Sequence, residues 1–271
     1  MSAAATEVRL VVFDWAGTTV DHGCFAPVAG FVRTFARHGV ELAPSHVRGP
    51  MGLQKRDHLL AMLRMPEVAR RWRDVQGRDW DDADVERLYQ DFVPLQMEVL
   101  DEHSHLVPGL PECVAELRRR GVRIGGTTGY FREAAERVYR LAERQGFVPD
   151  CKVCAEDVPQ GRPAPWMLFR VMEALRVYPA ASVVKVGDTV PDIGEGLNAG
   201  AWSVGVTGSG SVVGCTPEEL TSLSEDDRRA RLAAARRMLL DAGAHAVIDS
   251  LGELPALLDD ISERLGRGEM P

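Results

Sequence analysis

Five short apolar runs recur along the chain: RLVVF (9–13), VRIGG (122–126), SVVKVG (182–187), WSVGV (202–206) and HAVI (245–248). They are nearly continuous in apolar character rather than alternating with polar residues. Strands buried on both faces read this way, as in a parallel sheet covered by helices on each side. CKVC (151–154) reads as part of a further strand. Helix signals fill the gaps. PECVAELRRRG (111–121) opens on proline and closes on basic residues and glycine. TPEE (216–219) and SEDD (224–227) are capping boxes, the second opening an amphipathic helix through Leu232, Met238 and Leu239. The alternation predicts an α/β fold, a doubly wound parallel sheet of Rossmann-like type.

One gap is different. From residue 14 to 121 no strand pattern occurs. Val28, Phe31, Val32 and Phe35 keep helical spacing, and residues 54–100 are helical again, broken near Met65–Pro66 and around Gly77. A long helical insertion directly after the first strand predicts a cap. The expected domains are a catalytic core from residues 1–21 and 102–271, and a helical cap domain from 22–101. GVTGSGSVVG (205–214) lacks dinucleotide-loop spacing and is expected to be a flexible loop.

The net charge of −8 disfavours nucleic acid as a partner, so the arginines after residue 227 read as a solvated helix face. No apolar stretch approaches the roughly 20 residues that cross a bilayer, and MSAAATEVRL lacks a leader layout. No membrane partner and a cytoplasmic location are therefore expected. The five cysteines are too few and too scattered for a disulfide framework, and the CxxC at 151–154 has no second pair to complete a zinc site.

Chemistry is expected at the carboxyl ends of the strands, where open α/β sheets bind ligands. Asp14 ends the first strand. GDTVPD (187–192) brings Asp188 and Asp192 to the same edge; TTG (127–129) adds Thr128, and GRPAP (161–165) adds Arg162. Converging carboxylates repel, so a hard divalent cation belongs between them, and Mg²⁺ typically takes one or two carboxylates beside a substrate phosphate. Thr128 and Arg162 can hold phosphoryl oxygens, leaving Asp14 to attack phosphorus.

Asp14, Thr128, Arg162 and GDTVPD resemble the four motifs of the haloacid dehalogenase superfamily of aspartyl phosphotransferases. Phosphatases of that superfamily mostly carry a second aspartate two positions after the nucleophile, to protonate the leaving alcohol. Here that position is Ala16.

GPMGLQKRDH (49–58) bears on the missing acid. Taken alone, the stretch is that of a surface lysine on an amphipathic helix, with Lys55 and His58 sharing a face if the helix begins near Leu53. Buried under the cap, the same lysine would have a neutral amine able to form an imine. An iminium draws the electrons of a departing carbon onto nitrogen, and no acid at position 16 is then needed. The set DWAGTTVD, CFAP, MGLQKRDH, TTGY, VPQGRPAPWM, KVGDTVPD and NAG, from about residue 8 to about 260, closely resembles the phosphonatase family of that superfamily.

That resemblance implies hydrolysis of the carbon–phosphorus bond of phosphonoacetaldehyde to acetaldehyde and phosphate. Asp14 would be the nucleophile, Lys55 the imine-forming residue and His58 the proton shuttle. Mg²⁺ would be held by Asp14, the Ala16 carbonyl and Asp188, with Asp192 behind them. Thr128 and Arg162 would position phosphate; Cys24, Met51 and Tyr130 would line the pocket. The resemblance also implies a homodimer. A phosphomonoesterase or phosphomutase of the same superfamily, and a non-catalytic phosphonate sensor, stand as alternatives.

Overall fold

A computed structural model describes residues 6–271; residues 1–5, part of the stretch read for a leader, lie outside the described residues. The chain begins with β1 (Leu10–Phe13), followed by α1 (Phe25–Arg37), α2 (Pro44–Arg48), α3 (Lys55–Leu63), α4 (Pro66–Gln76) and α5 (Asp82–His103). Then come α6 (Leu110–Arg119), β2 (Arg123–Thr128), α7 (Arg132–Arg144), β3 (Cys151–Cys154), α8 (Trp166–Leu175), β4 (Val183–Gly187), α9 (Val190–Ala199) and β5 (Trp202–Val206). α10 (Pro217–Ser222), α11 (Glu225–Asp241), β6 (Ala246–Ile248) and α12 (Leu254–Gly266) complete it.

Among the described residues, six strands form one parallel sheet in the order β3-β2-β1-β4-β5-β6. The order reverses between β1 and β4, which makes the crevice beyond their carboxyl ends the expected ligand site. The continuous apolar run of β1 is explained by its two faces. Val11 and Phe13 enter the core shared with α6, α7 and α12; Leu10 and Val12 enter the core under α8. One-sided burial would have produced an alternating sequence.

The five helices α1–α5 all lie between β1 and β2 in the chain. α5 packs on α1 and α3, and also touches α7. Their boundaries follow local chemistry. Gly77 ends α4 in the left-handed conformation (φ 71°), and Asp81 caps α5 by accepting from Asp84 N. α3 starts at Lys55 rather than near Leu53: residues 49–54 are turns that close over the sheet edge. Thr216 and Ser224 cap α10 and α11 through the nitrogens three residues on. Of the apolar residues expected on α11, Leu239 is buried, and Leu232 and Met238 are half-buried. All five cysteines are free, with Cys151 and Cys154 in β3.

Candidate active site

Asp14 is the first residue beyond β1, and Asp188 the first beyond β4, so the two adjacent strands present them side by side. Asp192 follows one turn into α9. Oxygens of Asp14, Asp188 and Asp192 all lie within 4.8 Å of one another. Burial and its carboxylate neighbours push Asp188 up to about 7. Asp14 is raised by burial and by Asp192, against the pull of Arg162. For Asp192 burial is outweighed by Arg162 and Lys185, which hold it below the usual carboxylate range.

These directions separate the three acids. Asp192 already has its counter-charges: its Oδ1 is 2.9 Å from both Arg162 Nη1 and Lys185 Nζ. Asp188 has only neutral donors among the described residues: Thr18 Oγ1 at 3.2 Å, Ser211 N at 2.8 Å and the Cys24 thiol at 3.9 Å. A buried carboxylate short of positive charge fits a divalent cation, so the fit is to Asp14 and Asp188, with Asp192 committed elsewhere.

The turn after Asp14 wraps closely on this pair. Thr18, Thr19 and Val20 donate their N–H groups to Trp15 O. Gly17 is left-handed (φ 85°), and a Cβ there would lie 2.5 Å from Cys24 Sγ and 2.8 Å from Asp188 Oδ2. The glycine-rich run after β5, expected as a flexible loop, is instead buried against the site. Its polar groups are used there: Ser211 N donates to Asp188, and Ser209 Oγ donates to Gly17 O at 2.7 Å. A side chain at Gly210 would meet Asp188 Cβ at 2.9 Å, so close packing selects the glycine.

Helix α3 contributes from above. Lys55, at its first turn, is 7% exposed, with Nζ 4.7 Å from the centroid of Tyr130 and 5.9 Å from that of Phe31. Burial pushes its amine down to about 8, and Arg162 adds to the effect against nearby anionic groups. The positive end of α3 acts in the same direction. His58 is fully buried and packs against Phe31, with ring centroids 4.1 Å apart and the planes tilted by 32°. Its Nε2 lies 2.8 Å from Val47 O, an acceptor only, so Nε2 carries the proton and the unpartnered Nδ1 keeps its lone pair. Burial, with Lys55 nearby, holds this imidazole well below its usual pKa and therefore neutral.

Asp14, Ala16, Cys24, Met51, Lys55, Thr128, Tyr130 and Arg162 line one cavity of about 20 Å³, room for little more than one water. Asp188, Asp192 and His58 stand outside its lining. A groove of about 570 Å³ along α10 and α11 contains none of these residues. The small volume comes from contact between residues 49–54 and the loops after β2, β3 and β4. A Cβ on Gly52 (φ 92°) would sit 2.1 Å from Thr189 Oγ1, and one on Gly129 2.7 Å from Leu53 O. Gly52→Ala is therefore expected to keep this loop off the core. The measurement is amide hydrogen exchange, which should rise at residues 49–54 while the melting temperature stays within a few degrees.

A family model for haloacid dehalogenase-like hydrolases matches residues 8–200. The phosphonoacetaldehyde hydrolase of Syntrophobacter fumaroxidans is 48% identical over 264 residues, covering 97% of this chain and 95% of its own. This chain belongs to the phosphonoacetaldehyde hydrolase family of haloacid dehalogenase-like hydrolases. The phosphonoacetaldehyde hydrolase of Bacillus cereus (strain B4264) is 42% identical over 95% of this chain and 98% of its own. A phosphonoacetaldehyde hydrolase-like protein from Oleispira antarctica has the same fold in its crystal structure, with a TM-score of 0.97 at 39% identity, over 99% of this chain and 97% of that one. Haloacid dehalogenase-like hydrolases generally use a divalent metal, and the acidic cluster at Asp14 and Asp188 can hold one.

Several residues at the site of this family member carry no obvious signal in the motifs. Arg48 Nη1 donates to Gly23 O at 2.7 Å and Ser211 O at 2.6 Å, stapling α2 to the loop that holds Asp188. Thr127, Lys185 and Glu195 form a buried polar group behind Arg162. Lys185 did have a mark in the sequence: a lysine inside an otherwise continuous apolar strand. Among the described residues, no helix is long and apolar enough to cross a membrane.

Proposed function

We propose that the protein hydrolyses the carbon–phosphorus bond of phosphonoacetaldehyde, releasing acetaldehyde and phosphate. The observation that carries this reading is the shared cavity. A buried amine with its pKa lowered to about 8 faces the same small space as a strand-end aspartate, and alanine stands where a leaving-group acid would be. The relatives named above as phosphonoacetaldehyde hydrolases support it.

The neutral Lys55 amine adds to the aldehyde and expels water, giving an iminium. An Asp14 oxygen attacks phosphorus, and the carbon–phosphorus electron pair moves onto the carbon skeleton and nitrogen as an enamine. Protonation of the enamine at carbon and hydrolysis of the iminium return acetaldehyde and Lys55. Water then hydrolyses the aspartyl phosphate. The bare Nδ1 of His58 suits it to carry protons for Lys55. Thr128, which accepts from Tyr130 N at 3.2 Å, and Arg162 hold the phosphoryl oxygens. Arg162 Nη1 is 2.6 Å from Asp14 Oδ1, and that is the bond it would exchange for phosphate. Cys24, Met51 and Tyr130 exclude water around the aldehyde.

Mg²⁺ is the proposed cation, held by Asp14, the Ala16 carbonyl and Asp188; when bound it offsets the charge of the phosphoryl group. The helical insertion, residues 22–101, serves as a cap whose closure completes the site. The active form is proposed to be a homodimer.

The deciding experiment is borohydride reduction in the presence of substrate, followed by peptide mass mapping. Modification at Lys55 is expected; a label elsewhere overturns the mechanism. Chelation with EDTA is expected to stop phosphate release, and added Mg²⁺ to restore it. A phosphomonoesterase reading would require turnover of phosphate esters at comparable rates, and Ala16 provides no proton for their leaving alkoxide.

A further inference from the structure

We propose that Lys185 and Glu195 are positioning residues that aim Arg162: a buried clamp behind the sheet edge, keeping one hand of the guanidinium pointed at the phosphoryl position. This rests on the reading of Arg162 as a phosphate-holding residue.

A lysine in the interior of a central parallel strand is an anomaly, and Lys185 is fully buried. Its ammonium donates to Thr127 Oγ1 at 3.1 Å and forms ion pairs with Asp192 Oδ1 at 2.9 Å and Glu195 Oε2 at 3.3 Å. Helix α9 lies close enough to β4 for Glu195 to reach because Gly196 follows it. A Cβ there would lie 2.2 Å from Ser203 Oγ and 3.0 Å from Lys185 Cβ.

Glu195 uses its two oxygens unequally. Oε2 takes Arg162 Nε at 3.0 Å, Thr127 Oγ1 at 3.1 Å and Lys185, whereas Oε1 is buried with no partner. The carboxylate is thus turned toward the rear of Arg162. Arg162 in turn is held at all three nitrogens. Nε donates to Glu195, Nη2 to Thr127 O and Oγ1 at 2.6 and 2.7 Å, and Nη1 to Asp14 at 2.6 Å, with Nη1 also paired to Asp192 Oδ1 at 2.9 Å as an ion pair. Of these partners only Asp14 faces the cavity.

The charges show why two residues are needed. Arg162 and Lys185 face Asp14, Asp192 and Glu195, of which Asp192 and Glu195 are fully buried and Asp14 is slightly open. Without Lys185, one guanidinium would serve three carboxylates and be drawn to the buried pair, away from Asp14. Without Glu195, Nε would lose its anchor and the planar fork could turn.

The test is binding of inorganic phosphate to the Mg²⁺-loaded protein, measured by calorimetry. In Glu195→Ala a negative charge is lost, which by field alone would tighten an anion. The clamp requires the opposite, a weakening of roughly tenfold or more. In an Arg162→Ala background the same substitution should cause no weakening, because the residue it acts through is gone. Lys185→Met is the second variant, expected to weaken phosphate roughly tenfold in the wild-type background and much less beside Arg162→Ala. Borohydride trapping of acetaldehyde at Lys55, which needs no phosphoryl grip, should continue in all of them. Unchanged or tighter phosphate binding in Glu195→Ala, or equal factors in both backgrounds, overturns the clamp. Absence of trapping in the wild-type protein would instead overturn the imine reading and leave the phosphate titration to decide the clamp.

Discussion

Lys55→Arg is expected to reduce phosphate release from phosphonoacetaldehyde on the order of 10⁴-fold or more, with the fold retained. The substitution keeps a cation at the first turn of α3 but removes an amine that can become neutral. The native amine is prepared for that role. Its burial moves it down to about 8 from an ordinary 10.5, so at pH 7.4 about one molecule in five is neutral instead of about one in a thousand. The wild-type rate should accordingly climb as pH rises toward and through about 8, and level off above it as the neutral form saturates.

The stability linkage has the matching sign. The folded pKa lies below the unfolded one, so burial of this amine costs roughly 3 kcal/mol below pH 8, a cost relieved as pH rises from about 8 to about 10.5. Phosphate release across pH 6.5 to 9, with borohydride trapping in parallel, checks all of this. Arginine at position 55 turning over at more than a tenth of the native rate would end the imine mechanism.

Asp14→Ala should separate the two halves of the reaction. Phosphate release is expected to fall by on the order of 10⁴-fold, since no other side chain in the cavity lining offers an anionic oxygen to phosphorus. Borohydride trapping at Lys55 should persist, because imine formation draws on the amine and the cap, not on the strand end. The variant is expected to fold: Arg162 retains Asp192 and Glu195 as counter-charges. Rapid phosphate release by this variant would exclude an aspartyl phosphate at residue 14. Loss of trapping in a folded Asp14→Ala would mean that the two residues act as one unit.

The amino-acid order by itself carried the architecture. Apolar runs such as WSVGV are long enough for one strand and too uniform for a one-sided sheet, so double-sided burial and a parallel sheet could be read from them, and WSVGV coincides with β5. The strand-end positions of Asp14 and Asp188 were legible for the same reason, since a strand that stops at a carboxylate announces which edge it reaches. Local caps at Thr216 and Ser224 were legible because their partners are three residues away.

Tertiary structure decided what depends on neighbours distant in sequence. The chain alone left Lys55 between a surface lysine and a buried amine, because its neighbours Phe31 and Tyr130 lie in α1 and after β2. The run 205–214 looked free until the fold placed Asp188 and Gly17 against it. Lys185 and Glu195 belong to different elements and meet only when α9 lies on β4. Periodicity records which face of an element is buried; it does not record which charge waits on the other side. Long-range pairing sets that, and with it the amine's pKa and the aim of Arg162.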